Sequence, residues 1–464
     1  MEKLNITFCS YPDFGGNAKA LYEYMKKRYK DQMNLVWIVY NDESVMNLKQ
    51  IGVTAILIGS DEFKEYIPKT NVFFTTQGNL DGDKLKAKNS IYVELWHGVG
   101  PKPTGFLCDT PSKEDIKGYK NISQIVDLFV VPNDFWKVVF SSVFNVETSR
   151  IKSLGMPILD YFKYSNGYNN LEKILNKSLN KYKKIIMYMP TFKNGFNHND
   201  ITIDNGNIFN FKENFEINRL NEYLKSNNYL LCVKKHPGDT KKLEFDNLSN
   251  IINIKEEQLL NNNISINEVI NAFDLLITDY SSIGTEFIFI DKPVLFITSD
   301  LDEYINNRGI IFGSHEFWMG YGPKVNNING LYNEIYNLLE NDCYFKKERE
   351  TYRNLFFGNL DDGGCKNICD YIFDNGSIRK NFKRYNSEIF KLNDKIEELN
   401  VVLREKDDII DARNARIREL DQFISNIINS KGWKMLEKLR GVKKKVLRKL
   451  LCYNRCETKP IYKK

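Results

Sequence analysis

The chain is poor in histidine. Four imidazoles, His97, His198, His236 and His315, serve 464 residues. Chemistry that needs a base near neutral pH has few places to sit. Cysteine supplies no framework. The eight cysteines are scattered, and the C-x3-C spacings Cys365/Cys369 and Cys452/Cys456 have no histidine nearby, an incomplete set for zinc. No apolar run approaches the ~20 residues that a spanning helix needs. Met1-Glu2-Lys3 leads into a short strand-like segment, not a signal-peptide core. These absences predict a reduced, cytoplasmic protein without a membrane span. No acidic cluster demands a metal, and no cofactor is expected. Net charge is only +6, so charge is informative only where it is concentrated.

At this length two domains plus an appendage are expected. Short apolar strands are predicted at residues 4–9, 35–40, 55–58, 72–75, 91–95 and 128–131. A second series follows at 185–188, 230–234, 251–254, 275–278 and 294–297. Both alternate with helical or loop segments, the pattern of parallel sheets covered on both faces. The fold class is therefore α/β, with two Rossmann-like doubly wound domains at 1–165 and 166–384. The opening Ser10-Tyr11-Pro12-Asp13-Phe14-Gly15-Gly16-Asn17 follows a strand but is not G-x-G-x-x-G. It reads better as a tight turn that lets a helix pack close than as a phosphate loop. Residues 194–211, rich in Asn, Asp and Gly, read as a loop.

The rest of the body is organised around residues 275–287, a buried strand, a polar turn and a helix start. Ser281 and Ser282 stand where the first N–H groups of that helix lack partners. An ordinary N-cap is the plain reading of such a turn, and a phosphate cradle the functional one. Two of the four histidines also follow strands directly. His97 lies in Trp96-His97-Gly98-Val99-Gly100-Pro101, and His236 in Lys234-Lys235-His236-Pro237-Gly238. Ligands of open α/β sheets bind at the carboxyl ends of strands. Both imidazoles are placed there, one in each half. His198 and His315 have no such setting.

W-H-G at 96–98, M-P-T-F at 189–192, K-x-H-P at 234–237 and T-D-Y-S-S at 278–282 occur in that order. Together they resemble the CDP-glycerol glycerophosphotransferase family, the teichoic acid primases and polymerases and their capsule-making relatives. Asp302, Tyr304, Arg308-Gly309 and Gly322-Pro323 resemble a further stretch of that family, and Phe356-Phe357 with Asp362-Gly363 its late motif. Two departures stand out. Val99-Gly100-Pro101-Lys102 replaces the family's usual T-P-L-K, and Glu286 takes the place of an acidic residue further along the helix.

The resemblance implies a two-domain GT-B fold with its site in the cleft. The first domain would serve the acceptor and the second the CDP-alcohol. The implied reaction moves glycerol phosphate from CDP-glycerol, or another CDP-alcohol, to a hydroxyl of a cell-surface polymer or its lipid-linked precursor, releasing CMP. It implies His97 as general base with His236 as its catalytic partner, and Ser281, Ser282 and Arg308 around the phosphates. Lys234 would add field, Asp279 would orient the turn or touch the nucleotide, and Asp362 would bind a ribose or glycerol hydroxyl. A nucleotide-sugar glycosyltransferase and a catalytically inactive coiled-coil scaffold are the competing readings.

From about residue 385 the period changes. Ile389, Leu392, Ile396, Leu399, Leu403, Ile410, Ile417, Leu420, Ile424 and Ile427 mark a heptad seam, with Lys406 and Arg413 at the skipped positions. That predicts a coiled coil over 385–430 and a homo-oligomer. A long helix packed on its own domain is the competing reading. Residues 431–451 then carry nine Lys or Arg against one Glu, with Trp433 and apolar residues at helical spacing. A basic amphipathic tail over 431–464 suits an anionic membrane surface. No stacking aromatics line it for nucleic acid, so no nucleic-acid partner is expected.

Overall fold

The apolar runs become short strands buried on both faces. The structure, a computed structural model, describes residues 3–76, 90–108, 111–191, 208–209, 211, 213, 215–235, 245, 247–358, 360, 364–374 and 377–429. His198, His236, Asp362, most of the loop expected at 194–211, Cys452, Cys456 and the basic segment 431–464 lie outside these residues.

The first sheet holds β1 (Leu4–Cys9), β2 (Met33–Val39), β3 (Ala55–Leu57), β4 (Val72–Thr75), β5 (Ile91–Glu94), β6 (Leu128–Val131) and β7 (Ile151–Ser153). The second holds β8 (Lys184–Tyr188), β9 (Tyr229–Val233), β10 (Ile251–Asn253), β11 (Leu275–Thr278), β12 (Val294–Ile297) and β13 (Lys324–Val325). Their orders are β3-β2-β1-β4-β5-β6-β7 and β10-β9-β8-β11-β12-β13. Neighbouring strands run parallel, as in β1 on β4, where Ile6 faces Val72 and Cys9 faces Thr75. β7 and β13 escape the sequence reading because they are short and carry one apolar residue each, Ile151 and Val325, so no apolar run marks them.

Each sheet reverses its order once, between β1 and β4 in the first and between β8 and β11 in the second. At such a point adjacent connections leave to opposite faces and open a crevice at the carboxyl ends. The segments leaving β1 and β5 in one half, and β8, β9 and β11 in the other, carry the motifs found in the sequence.

Both sheets lie in one compact unit, Met1–Phe382. Lys19 Nζ on the helix Gly16–Tyr29 meets Glu268 Oε2 of the second half at 2.7 Å, with Lys19 buried. Trp136 Nε1 donates to Phe356 O at 2.9 Å. The helix Gly364–Cys369 packs back on the first half. Gly364 N donates to Met156 O at 3.2 Å, and Cys365 N to Asp160 Oδ2 at 3.0 Å. Cys365 and Cys369 serve there as small buried apolar side chains beside Ile368 and Ile372. Among the described residues no group of three or more His, Cys, Asp or Glu could hold a metal ion.

The second unit starts at Lys383. Its described part belongs to one uninterrupted helix, Ser377–Asn429, about 80 Å long at 1.5 Å per residue. The described seam residues Leu399, Leu403, Ile410, Ile417 and Leu420 are 46–56% exposed. Among the described residues no helix is long and apolar enough to cross a membrane.

Candidate active site

His97 sits two residues beyond Leu95, on a chain that turns sharply at Trp96. Trp96 has φ 52°, a left-handed conformation that costs a bulky residue about 1–3 kcal/mol. Three polar groups hold that turn. Glu94 Oε1 accepts from Trp96 N at 2.8 Å. Asn17 Nδ2 donates to Leu95 O at 3.2 Å and to Trp96 O at 2.8 Å. The indole packs edge-on to Phe144, with ring centroids 4.5 Å apart.

The imidazole then reaches back to the end of β4, with His97 Nδ1 3.0 Å from Thr76 O. A carbonyl only accepts, so Nδ1 carries the proton and Nε2 is the basic nitrogen of the neutral ring. The ring presents surface to solvent while lying deep among protein atoms, as on a cleft wall. That setting, with the nearby Lys102 charge, holds its pKa below the ordinary value, against the opposing pull of Thr76 O. A neutral imidazole with Nε2 available is the form a general base requires.

The segment after His97 lies directly on the second half. A Cβ on Gly98 would stand 2.7 Å from Glu286 Oε1 and 3.3 Å from Ser282 Oγ. One on Gly100 would stand 2.8 Å from Ser282 Cα. A side chain at Gly100 would meet the Ser282 backbone, and one at Gly98 would press on the Glu286 carboxyl and the Ser282 hydroxyl. Val99 N donates to Glu286 Oε1 at 3.2 Å, and Ile311 N donates to Pro101 O at 2.9 Å. Burial pushes the Glu286 carboxyl up to about 8, opposed by the Val99 N–H, so at neutral pH it is largely a neutral acid.

On the second half, the polar turn after β11 is anchored by its tyrosine. Tyr280 Oη donates to Asp300 Oδ1 at 2.9 Å, and its ring stacks on Tyr304 at 4.0 Å. This ties the turn to the helix Leu301–Arg308. Asp279 Oδ1 accepts from Thr191 N at 2.8 Å, joining the ends of β8 and β11. Ser281 caps the six-residue helix Ser282–Phe287 with its backbone alone, without a side-chain capping bond. Lys102 comes from the first half into the field of Asp279 and Arg308. Burial and then Arg308 lower its pKa, while Asp279 resists. Thr191 Oγ1 and Tyr304 Oη are buried without a hydrogen-bond partner among the described residues.

Residues 1–374 match the family described as CDP-glycerol:poly(glycerophosphate) glycerophosphotransferase. The chain belongs to that family. It is 26% identical over 377 residues to a teichoic acid glycerol-phosphate transferase of Staphylococcus aureus (strain NCTC 8325 / PS 47), covering 78% of this chain and 90% of that protein. It is 27% identical over 311 residues to a teichoic acid glycerol-phosphate primase of Bacillus subtilis (strain 168), covering 64% of this chain and 75% of that one. Its fold is similar to that of the wall teichoic acid polymerase TagF, in a variant soaked with CDPG. The TM-score is 0.65 at 21% identity, over 83% of this chain and 90% of that one. The GT-B expectation for the two sheets thus has a structural counterpart.

In this glycerophosphotransferase the structure brings together His97, Asp279, Ser281, Ser282 and Arg308 of the residues singled out by sequence. Lys234 has another engagement. It is buried, and its Nζ lies 2.8 Å from Glu256 Oε2 and 3.0 Å from Lys235 O. Its ammonium is neither a solvated charge nor aimed at open space. Sequence reading passed over Asn17, whose role no motif announces. It also passed over Lys102 as a site residue, although that lysine stood in the quoted W-H-G continuation.

Proposed function

We propose that this glycerophosphotransferase moves glycerol phosphate from CDP-glycerol to a hydroxyl of a teichoic acid or capsular polymer, or of its lipid-linked precursor, at the inner face of the cell membrane. The observation that carries the reading is the seating of the His97 turn on Ser282, through Gly98 and Gly100. That seating supports a reading in which the basic Nε2 of His97 works opposite the Ser281–Ser282 turn.

In the step proposed, the acceptor oxygen attacks the phosphorus that bears glycerol. The bond from that phosphorus to the CMP oxygen breaks, and the acceptor proton passes to His97 Nε2. Charge grows on the phosphoryl oxygens, so fixed donors and cations around them lower the barrier. Ser281, Ser282, Lys102 and Arg308 are the candidates for that part, and His236 is the second histidine that the sequence resemblance implies for it. The hydroxyls of Thr191 and Tyr304 are suited to a polar donor group, and Asp362 to a ribose or glycerol hydroxyl. The seam over 385–430 would pair with further copies of the chain, and the basic 431–451 segment would hold it at anionic lipid near its acceptor. Both lie beyond the catalytic step.

The test is CMP release from CDP-glycerol by the purified full chain, with a membrane fraction as acceptor, beside His97→Ala and His236→Ala. Acceptor-dependent release, lost in both variants, is expected. Release from nucleotide sugars and none from CDP-glycerol would overturn the reading in favour of a glycosyltransferase.

A further inference from the structure

We infer that Asn17 and Glu94 are positioning residues for His97. They lock the reversed peptide at Trp96 and so fix the direction in which the imidazole enters the cleft. The inference rests on His97 being the base proposed above.

Asn17 is wholly buried, in the first turn of the helix that follows β1. Its amide is used on both sides. Nδ2 binds two successive carbonyls, Leu95 O and Trp96 O, and Oδ1 accepts from Ile158 N at 2.9 Å. Glu94, also wholly buried, takes the Trp96 N–H. Trp96 is thus restrained at its N–H, its carbonyl, its ring and the carbonyl before it. A bulky residue at φ 52° persists only where its neighbours over-determine it. Among the described residues of the first half, Asn17 is the side chain that binds both carbonyls. Without its donors the peptide can relax towards negative φ and swing His97 away from Thr76 O. The glycine-rich opening turn is then useful for a reason unrelated to phosphate. Gly16, at φ 58°, lets the chain turn immediately before Asn17, whose amide then reaches Leu95 O and Trp96 O just beyond β5.

A base displaced by about 1 Å loses on the order of 10²-fold in rate while substrate binding is largely kept. Asn17→Asp preserves shape and the acceptor for Ile158 N–H, but a carboxylate cannot donate to the two carbonyls. The full chain carrying Asn17→Asp should show kcat for CMP release lowered on the order of 10²-fold, with KM for CDP-glycerol within about threefold. The second pair is Glu94→Ala, which removes the acceptor for Trp96 N–H, and Glu94→Gln, which supplies one. The alanine variant should lose turnover, and the glutamine variant should recover most of it.

A direct readout accompanies these rates. With four histidines, the ring Cε1–H resonances can be resolved by NMR, and His97 assigned by its disappearance in His97→Ala. Its resonance and titration midpoint should move in Asn17→Asp and Glu94→Ala. Should Asn17→Asp fail to fold, the Glu94 pair decides alone. Folded variants with an unmoved His97 resonance overturn the inference, whether or not kcat falls. If His97→Ala itself keeps full turnover, the base assignment fails, and the resonance shift still reports whether the pair orients the ring.

Discussion

The two halves meet at the cleft with different materials. The first offers one imidazole on a strained turn, held through the backbone: Asn17 binds two carbonyls, Glu94 accepts an N–H, and the carbonyl of Thr76 meets Nδ1. The second offers hydroxyls and a carboxylate on an unstrained turn, held by side chains that touch each other, as Tyr280 does Asp300 and Tyr304. The first arrangement aims a single atom. The second surrounds a volume. A base needs direction, whereas stabilising charge spread over phosphoryl oxygens needs several donors at once. On the function proposed above, proton removal falls to the first half and charge stabilisation to the second.

The largest effects should fall on the aiming half. His97→Ala is expected to lower kcat for CMP release about 10³-fold, within the range for loss of a general base, with KM little changed. An equal loss in kcat and a large rise in KM would instead place His97 among the donor contacts and break the division. Lys102 crosses from the first half into the second, so it tests the division at its seam. Lys102→Ala should cost on the order of 10²-fold in kcat/KM, the size of one lost fixed donor to developing charge. Lys102→Arg should recover part of that, because the charge returns with a different reach.

Much of this was legible in the sequence, for physical reasons that also mark where legibility ends. β11 and β12 are continuous apolar runs, and the structure buries every one of their side chains. The D-Y-S-S turn was visible because hydroxyls at a helix start have a local meaning. Its tyrosine was not, since Asp300 and Tyr304 reach it only through the fold. Asn17 was hidden for the same reason. Its partners lie 78, 79 and 141 residues away, and no spacing rule connects them. Lys234 looked like a charge at a strand end, and only the structure supplies Glu256.

Glu286 sharpens the comparison from the other side, because it is where the second half grips the His97 turn. Its carboxyl is raised from an ordinary 4.5 to about 8 by burial beneath Gly98, Val99 and Ser282. The unfolded chain releases this proton above about pH 4.5, and the folded protein keeps it until about pH 8. This group's contribution to stability is therefore full below pH 4.5, declines as pH rises through that window and is lost above it. Glu286→Gln keeps an acceptor for Val99 N–H and cannot ionise. It should flatten the alkaline decline in thermal stability, an effect on the order of a few kcal/mol between the two ends. Turnover at pH 7 should stay within a few-fold, since the native carboxyl is already largely neutral there. A variant whose melting temperature tracks the native protein across pH 5–9 would remove Glu286 as the titrating contact.

The smallest effect on turnover is expected at Lys234, and its smallness is informative. Lys234 is 6% exposed, whereas its partner Glu256 is 46% exposed. Lys234→Met keeps the apolar stem packed, and water can take over at the half-open carboxylate. The loss should be about 1–3 kcal/mol, the scale of a hydrogen bond to a charged group. It should appear as a lower melting temperature, with kcat/KM for CDP-glycerol within about twofold. The opposite pattern, a large loss of turnover without loss of stability, would mean that the ammonium leaves Glu256 for the donor when CDP-glycerol binds. The second half would then depend on a moving cation as well as on a preformed turn. Measuring melting temperature and kcat/KM on the same Lys234→Met preparation separates the two.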